Sequence, residues 1–526
     1  MLENHLGLKM VAPENPQQDA ECRGSLAVIG CLSLGLSTLH LLVGGRYGYF
    51  VDELYYLACS HHLDWGYVDQ PPLIALITWI ERMTLGDSLP ALRFLPAVAN
   101  GLLVFLTGLI ARELGGRRYA QILACVAVIV APLYLGLGHL LTMNAFEPLF
   151  WAGCALVAIK IIQDDSPKLW MLFGLLAGLG LENKHSMLFS GFGFVLGMLL
   201  TPARRFFRNP WFWLGGLVAF LIFVPNLVWE LQRGFPTIEL LRNVQRSGRN
   251  VSLGWANFIA QQFLVMHPLA GPLWLAGLWY FLQDAAGRRF RVLGWAYLIV
   301  LLCFLALNGR VYYLGPAYPM LFAAGAVVFQ RFAERGNHAW LKPGYVAVLL
   351  VTGALLAPFA YFPILPVESF LTYSRTTHFQ PPQIETHRMG PLPQIYADMY
   401  GWREMAETVA GAYNKLSPED KQRCAIFGQN YGQAGAIDFF GAKMGLPNAL
   451  SGHQSYFYWG PRNYTGECML VMDDTPEKLS QEFDSWEKVA TVYHPYSMPY
   501  QHFDVYLCRG LHWPLTQLWP KLKNWD

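Results

Sequence analysis

Residues 24–44, GSLAVIGCLSLGLSTLHLLVG, form an apolar segment without a single aspartate, glutamate, lysine or arginine. A helix needs about 20 mostly apolar residues to cross the hydrocarbon core of a bilayer, and this segment meets that length. Similar segments recur along the chain, so we predict an α-helical polytopic membrane protein with about eleven spans. The predicted spans are residues 24–44, 91–113, 119–138, 143–162, 168–183, 186–201, 211–230, 256–282, 292–308, 311–330 and 343–362.

The composition of the whole chain also favours a membrane protein. Of its 526 residues, 54% are hydrophobic and 14% are charged, whereas an ordinary soluble domain has about 25% charged residues. So few charges cannot cover the surface of a soluble enzyme. The net charge of +2 provides no basic field for nucleic acid, so we expect no nucleic-acid partner.

Lysine and arginine in the short connections predict the orientation, because such residues accumulate on the cytoplasmic side. Alternating connections contain Arg112, Arg117, Arg118, Lys168, Arg204, Arg205, Arg208, Arg288, Arg289, Arg291, Arg331, Arg335 and Lys342. We therefore expect a multi-pass protein of the cell (inner) membrane with a cytoplasmic N-terminus. With an odd number of spans, the chain after residue 362 lies on the extracytoplasmic, periplasmic side.

Three regions follow from this topology. Residues 1–23 are polar and predict a short disordered cytoplasmic tail, and residues 24–362 form the transmembrane domain. Within that domain, residues 71–86 are apolar but contain Glu81 and Arg82, which predicts an amphipathic helix along the interface. Residues 385–526 alternate helix-like and strand-like segments and predict a small extracytoplasmic α/β domain. One disulfide is possible there among Cys424, Cys468 and Cys508.

The first outer loop, residues 45–90, contains acids where they are costly. Asp52 and Glu53 follow the first span almost directly, and Asp69 precedes a Pro-Pro pair. Ionisable groups at the membrane edge usually face a cavity and serve a function. The alternative is an ordinary interfacial loop, in which Asp52 caps a helix that begins at residue 53.

Other polar side chains are expected on the same outer face. They are Asn144, Glu147, Glu182, Asn183, Lys184, His185, Asn308, Arg310, Tyr312 and Tyr313. Each alone is explained as a snorkelling or capping residue, but together they suit a lipid-linked anionic substrate that arrives from the bilayer. The outer loop 231–255 adds Arg233, Arg242, Arg246 and Arg249, which indicate either a solvated loop or an anion site.

Three motifs in this arrangement resemble the C-type (GT-C) membrane glycosyltransferases that use polyprenyl-phosphate sugars, in particular the protein O-mannosyltransferases and the aminoarabinose transferases of lipid A. They are the Asp52-Glu53 pair, the segment Tyr67-Val68-Asp69-Gln70-Pro71-Pro72-Leu73 and the segment 309–319, GRVYYLGPAYP. Two positions depart from the family pattern. Gln70 stands where the aminoarabinose enzymes have lysine, and Asn144 stands where many members have an acid, with Glu147 one turn further on.

The resemblance implies a GT-C-like helical bundle followed by an extracytoplasmic domain. It implies transfer of a sugar from a polyprenyl-phosphate donor to a hydroxyl of a lipid, glycan or protein acceptor, with inversion at the anomeric carbon. Asp52 would be the general base, and Glu53 would orient it or bind sugar hydroxyls. Donor contacts would come from Lys184, Arg310, Tyr312, Tyr313 and Arg242 or Arg246. Further substrate contacts would come from Tyr67, Gln70, Asn144, Glu147 and His185.

No cofactor follows with certainty from the resemblance. A divalent metal, Mg or Mn, is expected only as an option, held by Asp69 together with Asp52. Partners besides donor and acceptor are membrane lipids. A transporter or flippase of a lipid-linked saccharide, or a non-catalytic scaffold, would share the same bundle. The aromatic run 453–459, HQSYFYW, indicates either sugar contacts that select the acceptor or a buried segment.

Overall fold

The computed structural model describes residues 16–335 and 338–526, and helices account for most of the first range. The α-helices there are Pro16–Val43, Val51–His61, Leu73–Leu85, Leu89–Leu92, Phe94–Glu113, Arg118–Val130, Pro132–Leu137, Met143–Asp164, Leu169–Asn183, Met187–Leu199, Pro210–Gln232, Pro236–Ser247, Trp255–Val265, Gly271–Leu282, Arg291–Ala306 and Tyr318–Glu334. Leu341–Leu356 follows in the second range. Short 3₁₀ helices are Pro202–Arg208, Pro268–Ala270, Arg288–Phe290, Val311–Ala317 and Ala357–Ala360.

Seven helical segments of the described chain are long and apolar enough to cross a membrane. They are Gly24–Val43, Leu89–Glu113, Met143–Asp164, Pro210–Gln232, Arg288–Ala306, Val311–Glu334 and Leu341–Ala360. A pair bent by 105°, Met187–Leu199 with Pro202–Arg208, would make an eighth span if it crosses as one unit. Shorter apolar helices are Arg118–Val130, Leu169–Asn183 and Pro268–Leu282. The multi-pass architecture is confirmed, and the count of eleven remains a prediction.

Two predicted spans are interrupted in the structure. In the span 119–138, Ala131 is extended (φ −69°, ψ 119°) before Pro132, because a residue that precedes proline is pushed out of the α region. In the span 256–282, His267 has a φ of 72° before Pro268. Proline lacks the amide donor that a continuous helix needs, so both segments restart at the proline.

The predicted tail needs a correction. The first helix begins at Pro16, which lies within the region 1–23 that was expected to be disordered. Proline is favoured in the first turn of a helix, where its missing N–H costs nothing. Residues 1–15 of the predicted tail lie outside the described residues.

The helix Val51–His61 packs the membrane-spanning part of the molecule against its C-terminal part. Its Leu54 and Leu57 share one hydrophobic core with Ala434 and Ile437 of the C-terminal part. The approach is close because position 435 is glycine: a Cβ there would lie 3.0 Å from the backbone oxygen of Leu54. Burial of this apolar surface, at about 25 cal/mol per Å², fixes the acidic loop against the C-terminal region.

The segment predicted as an interfacial helix is helical over Leu73–Leu85. It buries Ile74, Ala75, Thr78 and Glu81. Its opposite face exposes large apolar side chains, namely Leu76, Trp79, Ile80, Met83 and Leu85. An exposed apolar face beside a polar loop is what an interface helix requires.

Beyond the last candidate span, helices Val367–Thr377 and Gln394–Ala397 lead into a four-stranded sheet. The strands are β1 (Cys424–Phe427), β2 (Cys468–Met472), β3 (Phe483–Val492) and β4 (Phe503–Leu511), in the order β1-β2-β4-β3. The pair β1–β2 is parallel, and the other two pairs are antiparallel. The helices of this region are Trp402–Asn414, Pro418–Arg423, Tyr431–Phe439, Tyr456–Trp459, Pro476–Glu482 and Leu515–Leu518.

The sequence does not predict strand β3, because FDSWEKVATV carries three charges and half of its side chains are exposed at the sheet edge. Cys424 and Cys468 are directly paired in the register of β1 and β2, and they form a disulfide. Cys508 on β4 is a buried free thiol. The sequence left the choice among these three cysteines open, and the strand pairing decides it.

Candidate active site

Glu53 is completely buried and bound on both oxygens. Its Oε1 lies 2.8 Å from Nε of Arg93, and its Oε2 lies 2.9 Å from Nη2 of the same side chain. The backbone amides of Phe50 and Leu141 also donate to it, at 2.8 and 3.0 Å. Of the two roles expected for Glu53, binding of sugar hydroxyls does not fit, because both of its oxygens are already occupied, and the orientation of Asp52 stays a prediction. Glu53 instead fixes the start of the helix Val51–His61.

Asp52, the neighbouring residue, points into a different environment. Its Oδ1 accepts a hydrogen bond of 2.8 Å from the hydroxyl of Tyr431. Burial raises the pKa of Asp52, while the Tyr431 hydrogen bond and the charges of Arg249 and Arg310 oppose that rise. Asp52 is therefore a carboxyl group held by a hydroxyl and within reach of two guanidinium charges.

Asp69 is the second carboxyl of the site, and we call Asp52 and Asp69 the acidic pair. The hydroxyl of Tyr55 donates to its Oδ1 at 2.9 Å, and the same tyrosine oxygen lies 2.8 Å from Oγ of Ser455. Burial raises the pKa of Asp69 to about 7, and the charge of Asp52 adds to the rise. A carboxyl whose pKa is raised by burial and by a neighbouring carboxyl is common at functional sites.

The cations beside Asp52 are Arg249 and Arg310, and both are bound to Glu385. Arg310 Nη2 lies 3.0 Å from Oε1 of Glu385, and Arg249 Nε lies 3.2 Å from Oε2. Arg310 also donates from Nε to Oδ1 of Asn250, at 3.0 Å. Although burial acts in the opposite direction, these two arginines hold the pKa of Glu385 below its ordinary value. The arrangement is a two-arginine anion site that an internal carboxylate occupies.

A second polar cluster surrounds Lys184. Its Nζ donates to Oδ1 of Asn144 at 2.7 Å and to Oε2 of Glu147 at 2.9 Å. The ammonium also lies over the rings of Tyr312 and Tyr313, at 5.3 and 4.7 Å. Since Tyr312 follows Arg310 closely in the chain, this cluster adjoins the two-arginine site. Asn144 and Glu147 therefore accept hydrogen bonds from Lys184 in this structure.

For five predicted contacts, the structure shows local partners or exposure to solvent. Tyr67 is 2% exposed, and its hydroxyl donates to the backbone oxygen of His62 at 3.0 Å. Gln70 is fully buried against Cys59. His185 pairs with Asn226 at 2.9 Å. Arg242 and Arg246 are exposed on the helix Pro236–Ser247, because the turn of that helix directs them outward. The first three side chains have local partners, and in this loop it is Arg249, rather than the two exposed arginines, whose charge acts on the pKa of Asp52.

Several residues of the site escaped sequence reasoning. Arg249 belongs to the arginine-rich loop 231–255. The sequence indicates an anion site in this loop but does not indicate which of its arginines forms the site. Glu385 and Tyr431 lie hundreds of positions from Asp52, and no local motif marks them, whereas Ser455 belongs to the aromatic run 453–459. For the aromatic run 453–459, the sequence allows either sugar contacts or a buried segment. His453, Gln454, Ser455 and Tyr456 are at most 4% exposed, so the first part of the run is a buried segment.

A divalent metal is supported only in part by this donor set. Asp52 and Asp69 supply two carboxyls, and each already accepts a tyrosine hydroxyl. Within the described ranges, no group of three or more histidine, cysteine, aspartate or glutamate side chains is placed to hold a metal ion. Hard cations prefer several oxygen ligands, so these residues alone do not complete a site.

Comparisons with known proteins agree with the fold and with the predicted resemblance. A family model described as dolichyl-phosphate-mannose-protein mannosyltransferase matches residues 69–229. Lipid A galacturonosyltransferase RgtD of Rhizobium johnstonii is 28% identical over 267 residues, which are 48% of this chain and 54% of that protein. The chain thus spans about half the length of this curated relative.

Solved structures extend the likeness over nearly the whole chain. ArnT from Cupriavidus metallidurans bound to undecaprenyl phosphate has a TM-score of 0.61 and 14% identity, and the match covers 92% of this chain and 98% of ArnT. The mycobacterial arabinofuranosyltransferase AftD has a TM-score of 0.51 and 15% identity, with 93% of this chain and 40% of AftD covered. At such identities the likeness shows the fold. The predicted resemblance to the C-type membrane glycosyltransferases is confirmed.

Proposed function

We propose that this protein transfers a sugar from a polyprenyl-phosphate donor to an acceptor hydroxyl, at the extracytoplasmic face of the cell (inner) membrane. The observation that carries the proposal is a carboxyl, Asp52, held by the Tyr431 hydroxyl at 2.8 Å and acted on by the charges of two arginines, Arg249 and Arg310, that converge on Glu385. Sugar transfer needs a base for the acceptor and positive charge for the departing phosphate. Both requirements are met by side chains of one site.

In this reaction, Asp52 accepts the proton of the acceptor hydroxyl while that oxygen attacks the anomeric carbon. The bond between the anomeric carbon and the phosphate oxygen breaks, and its electron pair leaves with the lipid phosphate. Phosphate is a good leaving group, so no separate acid is required. One displacement inverts the anomeric centre. Glu53 takes part only through position, since it holds the start of the helix that carries Asp52.

Arg249, Arg310 and Lys184 form the proposed phosphate site, and Tyr312 and Tyr313 line it. Arginine binds phosphate in a bidentate manner. In the structure Glu385 takes that place, with one oxygen on each arginine. The donor phosphate is a diester with one negative charge, and it becomes a monoester with more negative charge and more free acceptor oxygens than a carboxylate as the sugar leaves. We therefore infer that the donor phosphate displaces or shares the position of the Glu385 carboxylate.

The relatives indicate which substrates to test first. ArnT is known with undecaprenyl phosphate bound, which supports an undecaprenyl-phosphate sugar as donor. RgtD is described as acting on lipid A with galacturonic acid, which supports a membrane glycolipid as acceptor. A lipid substrate also fits the exposed apolar face of the helix Leu73–Leu85, next to the acidic loop. A divalent ion on Asp52 and Asp69, such as Mg or Mn, is an optional part of the proposal.

The direct experiment is to incubate the purified protein with radiolabelled polyprenyl-phosphate sugars and a lipid A-type acceptor. A transferase releases free polyprenyl phosphate and labels the acceptor. A transporter or flippase moves the labelled donor across a vesicle membrane but leaves its phosphate–sugar bond intact. A scaffold does neither. Adding EDTA and then Mg or Mn to the same assay tests the optional metal.

A further inference from the structure

Both acids of the site are held by hydroxyl groups that depend on the C-terminal region. Tyr431 donates to Asp52 at 2.8 Å. Ser455 lies 2.8 Å from the Tyr55 hydroxyl, which in turn donates to Asp69 at 2.9 Å. The backbone amide of Val68, next to Asp69, also donates to Oγ of Ser455, at 3.1 Å. Side chains of the C-terminal region, which lies outside the membrane-spanning segments, therefore complete the hydrogen bonds of the acidic loop.

Tyr431 is rigidly placed. It opens the helix Tyr431–Phe439, whose N-cap Asn430 accepts a hydrogen bond from the backbone of Gln433. Its ring stacks on His453 with an interplanar angle of 2° and a centroid distance of 5.0 Å. Its backbone amide donates to Nδ1 of the same histidine at 3.1 Å. A phenol fixed by a helix end and a stacked ring loses little entropy when it binds a carboxylate.

The opposing surfaces also meet tightly at this point. A Cβ on Gly432 would lie 2.5 Å from Cγ2 of Val51, which directly precedes Asp52. The absence of a side chain at position 432 lets the helix end reach the base. Among the described residues, no other group donates to the Asp52 carboxyl, so Oδ2 is left for a substrate hydroxyl.

We propose that Tyr431 is a positioning residue for Asp52, so that the C-terminal domain is part of the catalytic machinery as well as a neighbour of the acceptor. This inference rests on the proposed function. The Tyr431 hydroxyl binds Oδ1 and directs Oδ2 toward the acceptor. It also stabilises the charged form of the carboxyl, because a hydrogen bond to an anion is stronger than one to a neutral group.

The test compares Tyr431→Phe with Tyr456→Phe in the full-length protein. Tyr456 is a matched control: it is buried in the same region and donates to an aspartate, Asp438, at 2.8 Å. We expect Tyr431→Phe to lower kcat about 10- to 100-fold, since the hydrogen bond is made to a charged group. The KM for the donor should stay within about twofold, because uniform binding is untouched. Tyr456→Phe should leave kcat unchanged.

A double-mutant cycle separates positioning from a general structural effect. In the Asp52→Asn background, Tyr431→Phe should cause no further loss, because residues that act as one unit are not additive. Normal kcat in Tyr431→Phe, an equal loss in Tyr456→Phe, or a full additional loss in the Asp52→Asn background would each overturn the inference. A wild-type protein without transferase activity would instead overturn the proposed function.

Discussion

Arg310 and Glu385 form an ion pair in which Nη2 and Oε1 are 3.0 Å apart, and the charges of both residues act on the pKa of Asp52. Glu385 belongs to the connection between the last candidate span and the C-terminal sheet. The same connection is joined to the arginine-rich loop, because the amide of Thr386 donates to the backbone oxygen of Arg249 at 2.9 Å. The connection that contains Glu385 and Thr386 therefore closes one side of the proposed phosphate site, and the donor phosphate would contact it.

Removing the charge of Glu385 should strengthen the binding of the donor. In Glu385→Gln, both arginines lose their internal counter-ion, so we expect the donor KM to fall several-fold with kcat changed less than the KM. Glu407→Gln is the matched control, since Glu407 forms an exposed pair with Arg403. Steady-state kinetics with varied donor concentration measures the effect. A higher donor KM in Glu385→Gln would mean that Glu385 orients the arginines for the phosphate rather than competing with it.

The two candidate sets of arginines are separable by mutation. Arg310→Ala and Arg249→Ala should raise the donor KM more than the acceptor KM, by about 10-fold or more, as for the loss of a charge-assisted hydrogen bond. Arg242→Ala should change neither, because its side chain is exposed to solvent. Kinetics with each substrate varied in turn decides the matter. Equal losses in Arg249→Ala and Arg242→Ala would argue for a diffuse basic surface.

The Glu53–Arg93 pair should be required for folding. Arg93 and Glu53 are 1% and 0% exposed, and removal of one partner leaves an uncompensated buried charge that costs about 3–5 kcal/mol. We expect Glu53→Ala to lower the melting temperature and the yield of folded protein in detergent. Glu239→Ala removes one partner of an exposed pair with Lys523 and should have little effect. A Glu53→Ala protein with a normal melting temperature and no activity would point to a chemical role instead.

Stability should depend on pH through Asp398. This side chain is 3% exposed, and burial raises its pKa to about 7, against a smaller opposite effect of the Tyr500 hydrogen bond. The folded state therefore binds a proton more tightly than the unfolded state. The resulting stability is complete at low pH and is lost as the pH rises through about 7.

We accordingly expect the melting temperature to fall between about pH 4, the ordinary pKa of an aspartate, and about pH 7, and to level off at higher pH. Asp398→Asn should remove up to about 1.4 kcal/mol of that dependence per pH unit, which is the value for one proton. Asp484→Asn is the control, since that side chain is 76% exposed. Thermal unfolding across the pH range measures the slope. An unchanged slope in Asp398→Asn would show that other groups cause the dependence.

The parts of the fold that sequence reasoning captured are those set by local physics. The first span was predicted as 24–44 and is found as Gly24–Val43, because bilayer thickness fixes the length of an apolar helix. Strands β1, β2 and β4 were recognisable as apolar runs. The interrupted spans 119–138 and 256–282 contain the prolines that break them, but hydropathy averaged over a window does not register a single proline.

The site was predictable only in its acidic loop. Asp52 and Glu53 are adjacent in the sequence, and nothing local separates a substrate-facing acid from one that binds Arg93. That difference arises from tertiary contacts with residues 93, 141 and 431. Glu385 and Tyr431 were missed for the same reason, since a hydrogen bond between distant segments leaves no periodic pattern. Burial of Tyr67 and Gln70 likewise depends on packing beneath the helix Val51–His61.

The central claim is that Asp52 is the base of a sugar transfer from a lipid phosphate. The most direct measurement is the release of polyprenyl phosphate by Asp52→Asn, an isosteric change that keeps the acceptor for the Tyr431 hydroxyl. We predict a normal melting temperature and a rate reduced by about 10²- to 10⁴-fold, the usual contribution of a positioned base. Near-normal release by a folded Asp52→Asn protein would contradict the account.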